Sequence, residues 1–477
     1  MKKLFIFLLI IVAFTTVRAQ KNIDGIWEGK LDVGISLRIV FHFDKQADGS
    51  YKGTMDSPDQ NVKGIPISSI LISDDSITVE VKSIGGSYKG IRIKDSTISG
   101  SWNQGVGSYA LTTKHVKVAS AVNEGSLAKR PQTPKPPFTY TVEEVGYDNA
   151  DKSVHFGGSF TYPKTSGPFV TAILITGSGQ QDRDETILNH KPFAVIADYL
   201  TKKGFAVLRV DDRGVGKTTG NVKEATSADF ATDVEAGIAY LKTRKEVDVK
   251  KIGLIGHSEG GLIASIVASK NKDINYVIML AGPGVRGADL LADQNEAILK
   301  SSGVTADAAM AYKVLFRQII EDVLTVKDSI TLFDKAWQDG LLWKTKQPPS
   351  TLAALHINSN DSANNKKAIS NLITAFSFPW MKYFLSSDPA SLIEKFHCNL
   401  LALDGSKDLQ VIATSNLSGI HKALEKSKSP VYETRELPGL NHLFQHCNKC
   451  TISEYGELEE TFAPEALEIM GDWLNKL

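Results

Sequence analysis

The alternation of short apolar segments with amphipathic helical segments after Phe138 constrains the fold of this chain more than any other feature. The apolar segments, predicted as strands, are 170–175, 205–210, 251–255, 276–280, 400–403 and 431–437. The helical segments are 193–203, 229–242, 259–268 and 464–474. Strands that are apolar along their whole length are typical of a mainly parallel sheet with helices on both faces. We therefore predict an α/β domain over residues 138–477.

Residues from about 285 to 390 interrupt this alternation and are predicted as a helical cap. The segments 287–301, 306–324 and 330–342 carry apolar residues at three- and four-residue steps, as amphipathic helices do. The insertion follows a predicted strand, so we expect it over the carboxyl ends of the strands, where such sheets bind ligands. Its aromatic end supplies Trp380 and Tyr383 as candidates for lining a substrate pocket.

The stretch from residue 25 to about 113 has the two-residue period of half-buried strands. Ile35, Leu37, Ile39, Phe41 and Phe43 alternate with other residues, and clusters of turn residues divide the stretch into short strands. We predict a small all-β domain over residues 20–118, either an antiparallel barrel or a sandwich. Residues 119–137, which hold four of the 17 prolines, are predicted as a proline-rich linker.

The first nineteen residues have the three parts of an export signal peptide. Lys2 and Lys3 form a positive start, residues 4–14 form an apolar run, and Val17 and Ala19 permit cleavage before Gln20. A membrane anchor would need about 20 apolar residues, which this run does not reach. We expect export to a periplasm or to the outside, with no membrane span left in the mature chain.

Charge and cysteine content exclude several classes of protein. The 54 basic residues are balanced by 54 acidic ones, so nucleic acid is not expected as a partner. Three cysteines are too few for a disulfide framework of this size. Residues 214–218 imitate the end of a phosphate-binding loop, but Asp211 stands where that loop requires glycine. No cofactor is predicted.

Residues 256–260 form a Gly-His-Ser-Glu-Gly sequence between a predicted buried strand and a predicted helix. In this context G-x-S-x-G is typical of a sharp turn that presents a serine nucleophile at the sheet edge, and the glycines are required because the turn is crowded. A glycine-rich turn with a capping serine is the alternative. We predict that Ser258 is the nucleophile.

A serine hydroxyl needs a general base and a carboxylate that orients the base. The strand predicted at 400–403 leads into a turn that carries Asp404 and Asp408, and Asp408 is expected to reach across the sheet edge. Asp404 is expected to cap its own turn. His442 follows the last predicted strand and is the candidate base. The order Ser258, Asp408, His442 is the chain order that such a triad has on an α/β sheet.

Backbone amides are needed to stabilise the oxyanion of the reaction. One candidate donor is the amide of Glu259, directly after the serine. The other lies in the glycine turn after the first strong strand, where Ser178, Gly179 and Gln180 remain equal candidates. The acidic and arginine residues at 182–184 and 211–213 are expected to form salt bridges that hold these loops in place.

Together these segments resemble the α/β-hydrolase superfamily, and within it secreted bacterial esterases with a Gly-Ser-Gly-x-x-Asp-Arg-Asp oxyanion segment. The matching segments are 177–184, 211–216, 256–260, 404–411 and 439–442. Serine aminopeptidases and acyl-thioester hydrolases have similar domains. The resemblance implies an α/β-hydrolase fold and hydrolysis of carboxylic esters through an acyl-enzyme, although Gln180 stands where these esterases commonly have proline. It leaves out the β domain, which is similar to lipocalin-like barrels.

Two other functions remain open from the sequence. A serine peptidase would need acidic groups near Ser258 to hold the amino terminus of a peptide, and Glu259 is one source. A non-catalytic protein that binds through its β domain is the other, although candidates for all three triad positions are present. The expected partner is a small acyl ester or a short peptide-like molecule.

Three potential metal ligands lie close together at His446, Cys447 and Cys450. A tetrahedral zinc site would need a fourth ligand, and Cys398 is the only other cysteine. In an exported protein a disulfide between Cys447 and Cys450 is favoured, and it would brace the loop that carries His442. No metal site is predicted.

Overall fold

The computed structural model describes residues 22–32, 36–58, 62–81, 86–104, 107–117, 129–355, 357 and 362–477. The predicted signal peptide and the first part of the predicted linker lie outside these residues, as does Ile35. Within the described residues, no helix is both long enough and apolar enough to cross a bilayer.

The N-terminal part forms one antiparallel sheet of nine strands. They are β1 (Gly25–Asp32), β2 (Ser36–Lys45), β3 (Tyr51–Ser57), β4 (Val62–Pro66), β5 (Ser69–Ser73), β6 (Ser76–Val81), β7 (Gly86–Lys94), β8 (Thr97–Gln104) and β9 (Gly107–Val116). Their order is β4-β3-β2-β1-β9-β8-β7-β6-β5, so neighbours along the chain are mostly neighbours in the sheet. This is the barrel-like all-β architecture that the two-residue period predicts.

The two edges of this sheet are joined through the short step between β4 and β5. The Ile67 amide donates to the Gly53 carbonyl at 3.0 Å, and the next amide, of Ser68, donates to the Glu80 carbonyl at 2.7 Å. Consecutive residues thus bond to β3 and β6, which are next to the two ends of the sheet order, and this curls the sheet around its core. Trp27 and Trp102 lie fully buried in that core.

The C-terminal part is built on a second sheet of eight strands. They are β10 (Thr141–Asp148), β11 (His155–Tyr162), β12 (Phe169–Ile175), β13 (Ala206–Val210), β14 (Val247–His257), β15 (Ile274–Leu280), β16 (Asn399–Gly405) and β17 (Tyr432–Leu437). The order is β10-β11-β13-β12-β14-β15-β16-β17, and all pairs from β13 to β17 are parallel. The mainly parallel sheet of the α/β-hydrolase fold is confirmed.

Helices cover both faces of this sheet and bury two apolar clusters against it. They are α1 (Pro192–Lys202), α2 (Ser227–Leu241), α3 (Glu259–Ala268), α11 (Ala413–Leu424) and α12 (Pro464–Leu474). Helices α2, α3 and α11 pack into the cluster on one face, and α1 and α12 pack into the cluster on the other. Parallel strands require this cover because both of their faces are apolar.

The predicted cap is a layer of helices with its own apolar core. They are α4 (Gly287–Ser301), α5 (Ala306–Thr325), α6 (Ser329–Thr345), α7 (Pro349–Ala354), α8 (Ser362–Phe376), α9 (Pro379–Ser386) and α10 (Pro389–Ile393). Helix α4 begins shortly after β15, and α9 and α10 return the chain to β16. Helix α9 carries Trp380 and Tyr383 toward the sheet domain.

Candidate active site

Ser258 lies between the end of β14 and the first residue of α3, at φ 53° and ψ −121°. This conformation is strained for any residue with a side chain, and the surrounding chain must enforce it. A Cβ on Gly256 would lie 2.2 Å from the Gly260 carbonyl oxygen, and one on Gly260 would lie 2.2 Å from the Ile175 carbonyl oxygen. The two glycines therefore permit the close approach that places Ser258 at the top of the sheet.

Asp408 and His442 meet at the carboxyl ends of β16 and β17. The Asp408 Oδ2 lies 2.6 Å from His442 Nδ1, and both side chains are buried. Its other oxygen accepts the amides of Gln410 at 2.6 Å and Val411 at 2.9 Å, which fixes the carboxylate. Because Nδ1 donates to the carboxylate, Nε2 of the neutral ring is left as the acceptor that a general base needs.

Asp404 has the local role expected of it. Its Oδ1 accepts the amide of Gly405 at 2.8 Å, and the residue is buried. Burial and the neighbouring charge of Asp408 raise the pKa of Asp404 well above its usual range. Burial and the adjacent Asp408 thus both favour the neutral form of Asp404.

A cavity of about 280 Å³ brings the predicted residues together. Its lining includes Ser258, His442, Ser178 and Glu259, together with side chains from cap helices α4 and α9. The four named residues come from three separate turns, which follow β12, β14 and β17. Together with the cap they enclose one space that is lined by the candidate nucleophile, the candidate base and two of the candidate amide donors.

The three candidate residues of the glycine turn line different cavities. The amide of Gly177, just before them, is occupied because it donates to the Glu185 carboxylate at 2.7 Å. Ser178 lines the cavity of Ser258, whereas Gly179 and Gln180 line a neighbouring cavity. The Gln180 side chain donates to the Arg213 carbonyl at 3.0 Å, which ties the turn to the loop after β13.

His257 and Glu185 form a buried pair that the sequence did not reveal as part of the site. His257 Nδ1 lies 3.0 Å from Glu185 Oε1, and Nε2 lies 3.0 Å from the carbonyl oxygen of His442. Both partners are acceptors, so the doubly protonated ring satisfies them together. Burial opposes this charge, but the Glu185 carboxylate and the hydrogen bonds raise the pKa of His257 above its ordinary value. The pair links the oxyanion turn to the loop that carries His442.

The salt bridges expected between residues 182–184 and 211–213 are present in part, because Arg183 pairs with Asp211 but Arg213 pairs with Asp233 outside this set. Arg183 makes a two-pronged contact with Asp211, with nitrogen–oxygen distances of 3.0 and 2.7 Å. Arg213 makes the same kind of contact with Asp233 of α2, at 2.6 and 2.7 Å. Burial opposes the ionised form of Asp211, but Arg183 outweighs it and lowers the pKa of that carboxyl. Asp212 has no such cation, and burial raises its pKa to about 8.

The other histidines of this region have structural partners. His190 is buried between Thr461 Oγ1 and the Tyr455 carbonyl, at 2.9 Å each, and burial lowers its pKa to about 4. His446 lies at the surface beside Glu460 and Glu465, at 2.9 Å each. Neither lines the cavity of Ser258.

Cys447 and Cys450 are joined by a disulfide in the loop after His442. The Cys447 amide donates to the Gly439 carbonyl at 3.3 Å, which closes the loop around the histidine. Cys398 is buried elsewhere, and burial raises the pKa of its thiol to about 12. In the described part of the chain, no three His, Cys, Asp or Glu side chains are grouped as metal ligands.

A second cavity of about 380 Å³ adjoins the first. Trp380 lines both cavities, and its indole Nε1 donates to Glu259 Oε1 at 2.8 Å. Tyr383 lines neither cavity and instead packs, partly buried, against the core of the sheet domain. Of the two predicted pocket residues, Trp380 is the one placed beside Ser258.

Known proteins are similar to part of this chain. Residues 190–348 match the family model described as serine aminopeptidase, S33, a stretch that includes Ser258 and ends before Asp408. Esterase EstD from Thermotoga maritima is 31% identical over 175 residues, which cover 36% of this chain and 42% of the esterase. An acyl transferase from Photorhabdus luminescens is 31% identical over 146 residues, 30% of this chain and 43% of the transferase. The chain thus spans less than half the length of these relatives.

A solved structure of an esterase from Pyrococcus furiosus aligns with 74% of this chain and 98% of its own, at 15% identity and a TM-score of 0.40. A likeness at this level carries no argument about function.

Proposed function

We propose that this chain is a serine hydrolase of the α/β-hydrolase superfamily and that it cleaves carboxylic esters through an acyl-enzyme formed on Ser258. The observation that carries the proposal is that Ser258 and His442 line the same cavity, while Asp408 Oδ2 lies 2.6 Å from His442 Nδ1. A strained serine at a strand–helix turn, a histidine oriented by a carboxylate, and nearby free amides are the parts that acyl transfer requires.

The reaction follows from these positions. The Ser258 hydroxyl attacks the ester carbonyl while His442 Nε2 takes its proton, and the imidazolium that forms is stabilised by Asp408. The negative oxygen of the tetrahedral intermediate accepts hydrogen bonds from the amides of Ser178 and Glu259. When the intermediate collapses, the alcohol leaves with the proton from His442. Water, activated by the same histidine, then releases the acid and restores Ser258.

Peptide hydrolysis by recognition of an amino terminus is the second candidate, because the matching family model is described by that activity. The acidic side chains that line the cavity are Glu185 and Glu259. Glu185 is engaged by His257 and Gly177, and Glu259 accepts from Trp380 and from Ser227 at 2.6 Å. With both carboxylates already bonded and buried, the site favours neutral esters over peptides with a free amine.

A fluorophosphonate probe tests the proposal directly. The parent chain should be labelled and should hydrolyse p-nitrophenyl acetate, and Ser258→Ala should lose both activities. Asp408→Asn and His442→Ala should each lower kcat by about 10⁴-fold, because the members of a triad act as a unit. Comparing acyl esters with aminoacyl p-nitroanilides separates esterase from aminopeptidase. Labelling that persists in Ser258→Ala would remove this serine from the role.

We also propose that the chain is exported after removal of residues 1–19. The disulfide between Cys447 and Cys450 supports an oxidising compartment. Mass spectrometry of the protein from a secreting host should give a mature chain that begins at Gln20, and an intact amino terminus would contradict export by cleavage.

A further inference from the structure

The cavity of about 380 Å³ beside the catalytic cavity has no part in the reaction as described so far. Its wall is formed by β11, β12, α2, α3 and the start of α9, and most of it is apolar. The side chains that matter here are Phe156, Ile173, Phe230, Val234, Ile263 and Phe378. Its volume lies within the range of about 300–1,000 Å³ that is usual for small-molecule sites. An apolar cavity of this size beside Ser258 is large enough to bind part of a small substrate.

The two cavities share Gly177 and Trp380. The Trp380 indole is held by Glu259, which also accepts from Ser227 at the start of α2. The ring stacks at 6.1 Å on Phe384 of the same helix. Trp380 is thus fixed at the boundary by the residue that directly follows Ser258.

The position of this boundary indicates which half of an ester would enter the second cavity. His442 must reach the leaving oxygen, so the alcohol half lies on the side of the base loop. That loop lines only the catalytic cavity. The acyl half extends from the carbonyl carbon away from the leaving group, toward the glycine turn and Trp380.

Except for the exposed Lys223, the charged side chains of the second cavity have their partners within the protein. Arg213 is paired with Asp233, and Asp211 is paired with Arg183. Asp212 accepts the Gln181 amide and the Thr176 hydroxyl, both at 2.8 Å. These groups are satisfied within the protein, and Lys223 is exposed. The remaining surface offers contacts to hydrocarbon.

We propose that this cavity binds the acyl chain of the substrate, a neutral aliphatic chain longer than acetyl, and that Trp380 sets the entrance to it. The inference rests on the proposed esterase function and names its substrate class. Burying a methylene is worth about 0.8 kcal/mol, or about fourfold in kcat/KM, so a chain that fills the cavity is preferred over acetate.

Val234→Phe tests the proposal because Val234 of α2 lines the second cavity only and is buried. The larger ring occupies part of the space, so the ratio of kcat/KM for p-nitrophenyl octanoate to that for the acetate should fall at least about tenfold. Val234→Leu, which adds one methylene, should give a smaller fall and remains informative if the phenylalanine variant does not fold. Val314→Phe makes the same exchange on α5, where the side chain is 63% exposed, and should keep the parent ratio.

The outcomes separate this proposal from the one it rests on. A parent chain that neither reacts with the fluorophosphonate nor cleaves any ester would overturn the esterase function itself. If the parent cleaves esters and both Val234 variants keep its octanoate-to-acetate ratio, or lose both activities in proportion while folded, the acyl-site assignment is wrong. An octanoate-to-acetate ratio that is lower in Val234→Leu than in the parent, and lower again in Val234→Phe, supports the assignment.

Discussion

His257 lies between two hydrogen-bond acceptors, and a proton on each ring nitrogen lets it bond both of them. The ring bonds the Glu185 carboxylate on one side and the His442 carbonyl on the other. Glu185 in turn receives the Gly177 amide. One buried ion pair thus fixes both the glycine turn that holds the candidate oxyanion amides and the backbone of the candidate base, His442. We expect these two residues to position the reacting groups without touching the substrate's scissile bond.

The pH dependence of stability follows from the raised pKa of His257. A folded-state pKa above the unfolded value of about 6.5 means that the folded chain binds the proton more tightly. The stabilisation is fully present below pH 6.5 and is lost as the pH rises through the folded pKa. Glu185→Gln keeps an acceptor for the Gly177 amide but removes the carboxylate charge that favours protonated His257. The free energy of unfolding of this variant should therefore fall less steeply with rising pH than that of the parent.

Urea unfolding at a series of pH values measures this difference. Glu433→Gln, which removes a partly exposed carboxylate beside Arg435, is the matched control and should keep the parent's pH slope. In Glu185→Gln we also expect kcat to fall by about tenfold with little change in KM. The backbone amides of the glycine turn and the His442 ring would still be present, but they would be shifted out of their best positions. Identical pH slopes in parent and Glu185→Gln would contradict a charged His257.

At the scale of elements, the strand β14, the turn at Ser258 and the helix α3 act as one unit. Gly260 packs so closely on the end of β12 that a Cβ would lie 2.2 Å from the Ile175 carbonyl oxygen. The same strand end carries the glycine turn with Ser178. Gly260→Ala should therefore move α3 and the oxyanion turn apart, costing about 1–3 kcal/mol of stability and about 100-fold in the rate of fluorophosphonate labelling.

Gly340→Ala is the control for this prediction. Gly340 lies inside α6 of the cap, where the nearest atom to an added Cβ is the flexible end of Ile369 at 3.0 Å. Alanine has the higher helix propensity, so stability should stay the same or rise by up to about 1 kcal/mol. Labelling of Ser258 should not change. Equal labelling rates in Gly260→Ala and the parent would contradict the close packing of Gly260 against the end of β12.

Periodicity predicted most of these elements because each has a single strong pattern. The helix over 259–268 and the final helix over 464–474 have the bounds expected of them. The hairpin of β10 and β11 and the helix α11 were not predicted. In β10 the adjacent Glu143 and Glu144 interrupt the two-residue alternation, and β11 carries paired glycines, so neither has a regular strand pattern. β11 is placed by its pairing with β13, and β10 is placed by its pairing with β11.

Across the whole chain, the sequence predicted the candidate residues of the site and their order but not the contacts between them. Motifs gave candidates for the serine, the acid and the base, because each follows a strand directly. Ser178 and Gly179 are adjacent in the sequence but line different cavities, and no local pattern predicts this difference. The pairing of His257 with Glu185 joins residues 72 positions apart, and no local pattern marks it. Such contacts are properties of the assembled sheet.

The end of the predicted linker is part of this assembly. Arg130 donates to the carbonyls of Leu458 at 2.7 Å, Leu188 at 2.9 Å and Gly456 at 2.8 Å. Gln132 accepts the Thr461 amide and donates to the Phe462 carbonyl. This segment fastens the region after His442 to the loop that follows Glu185. Arg130 and Gln132 therefore join the end of the predicted linker to the α/β part of the chain.

A shortened chain of residues 129–477 should accordingly keep the parent's Tm for the α/β domain, whereas residues 138–477 should lose at least about 5 °C. Hydrogen bonds to a charged group contribute about 1.5–3 kcal/mol each, and the second chain lacks those of Arg130. Arg130→Ala in the full chain should give a loss of similar sign, since it removes the same donors without changing the length. Differential scanning calorimetry of the three proteins measures the effect. If residues 138–477 melt at the temperature of residues 129–477, the contacts of Arg130 do not stabilise the domain, and the linker would be a passive connection after all.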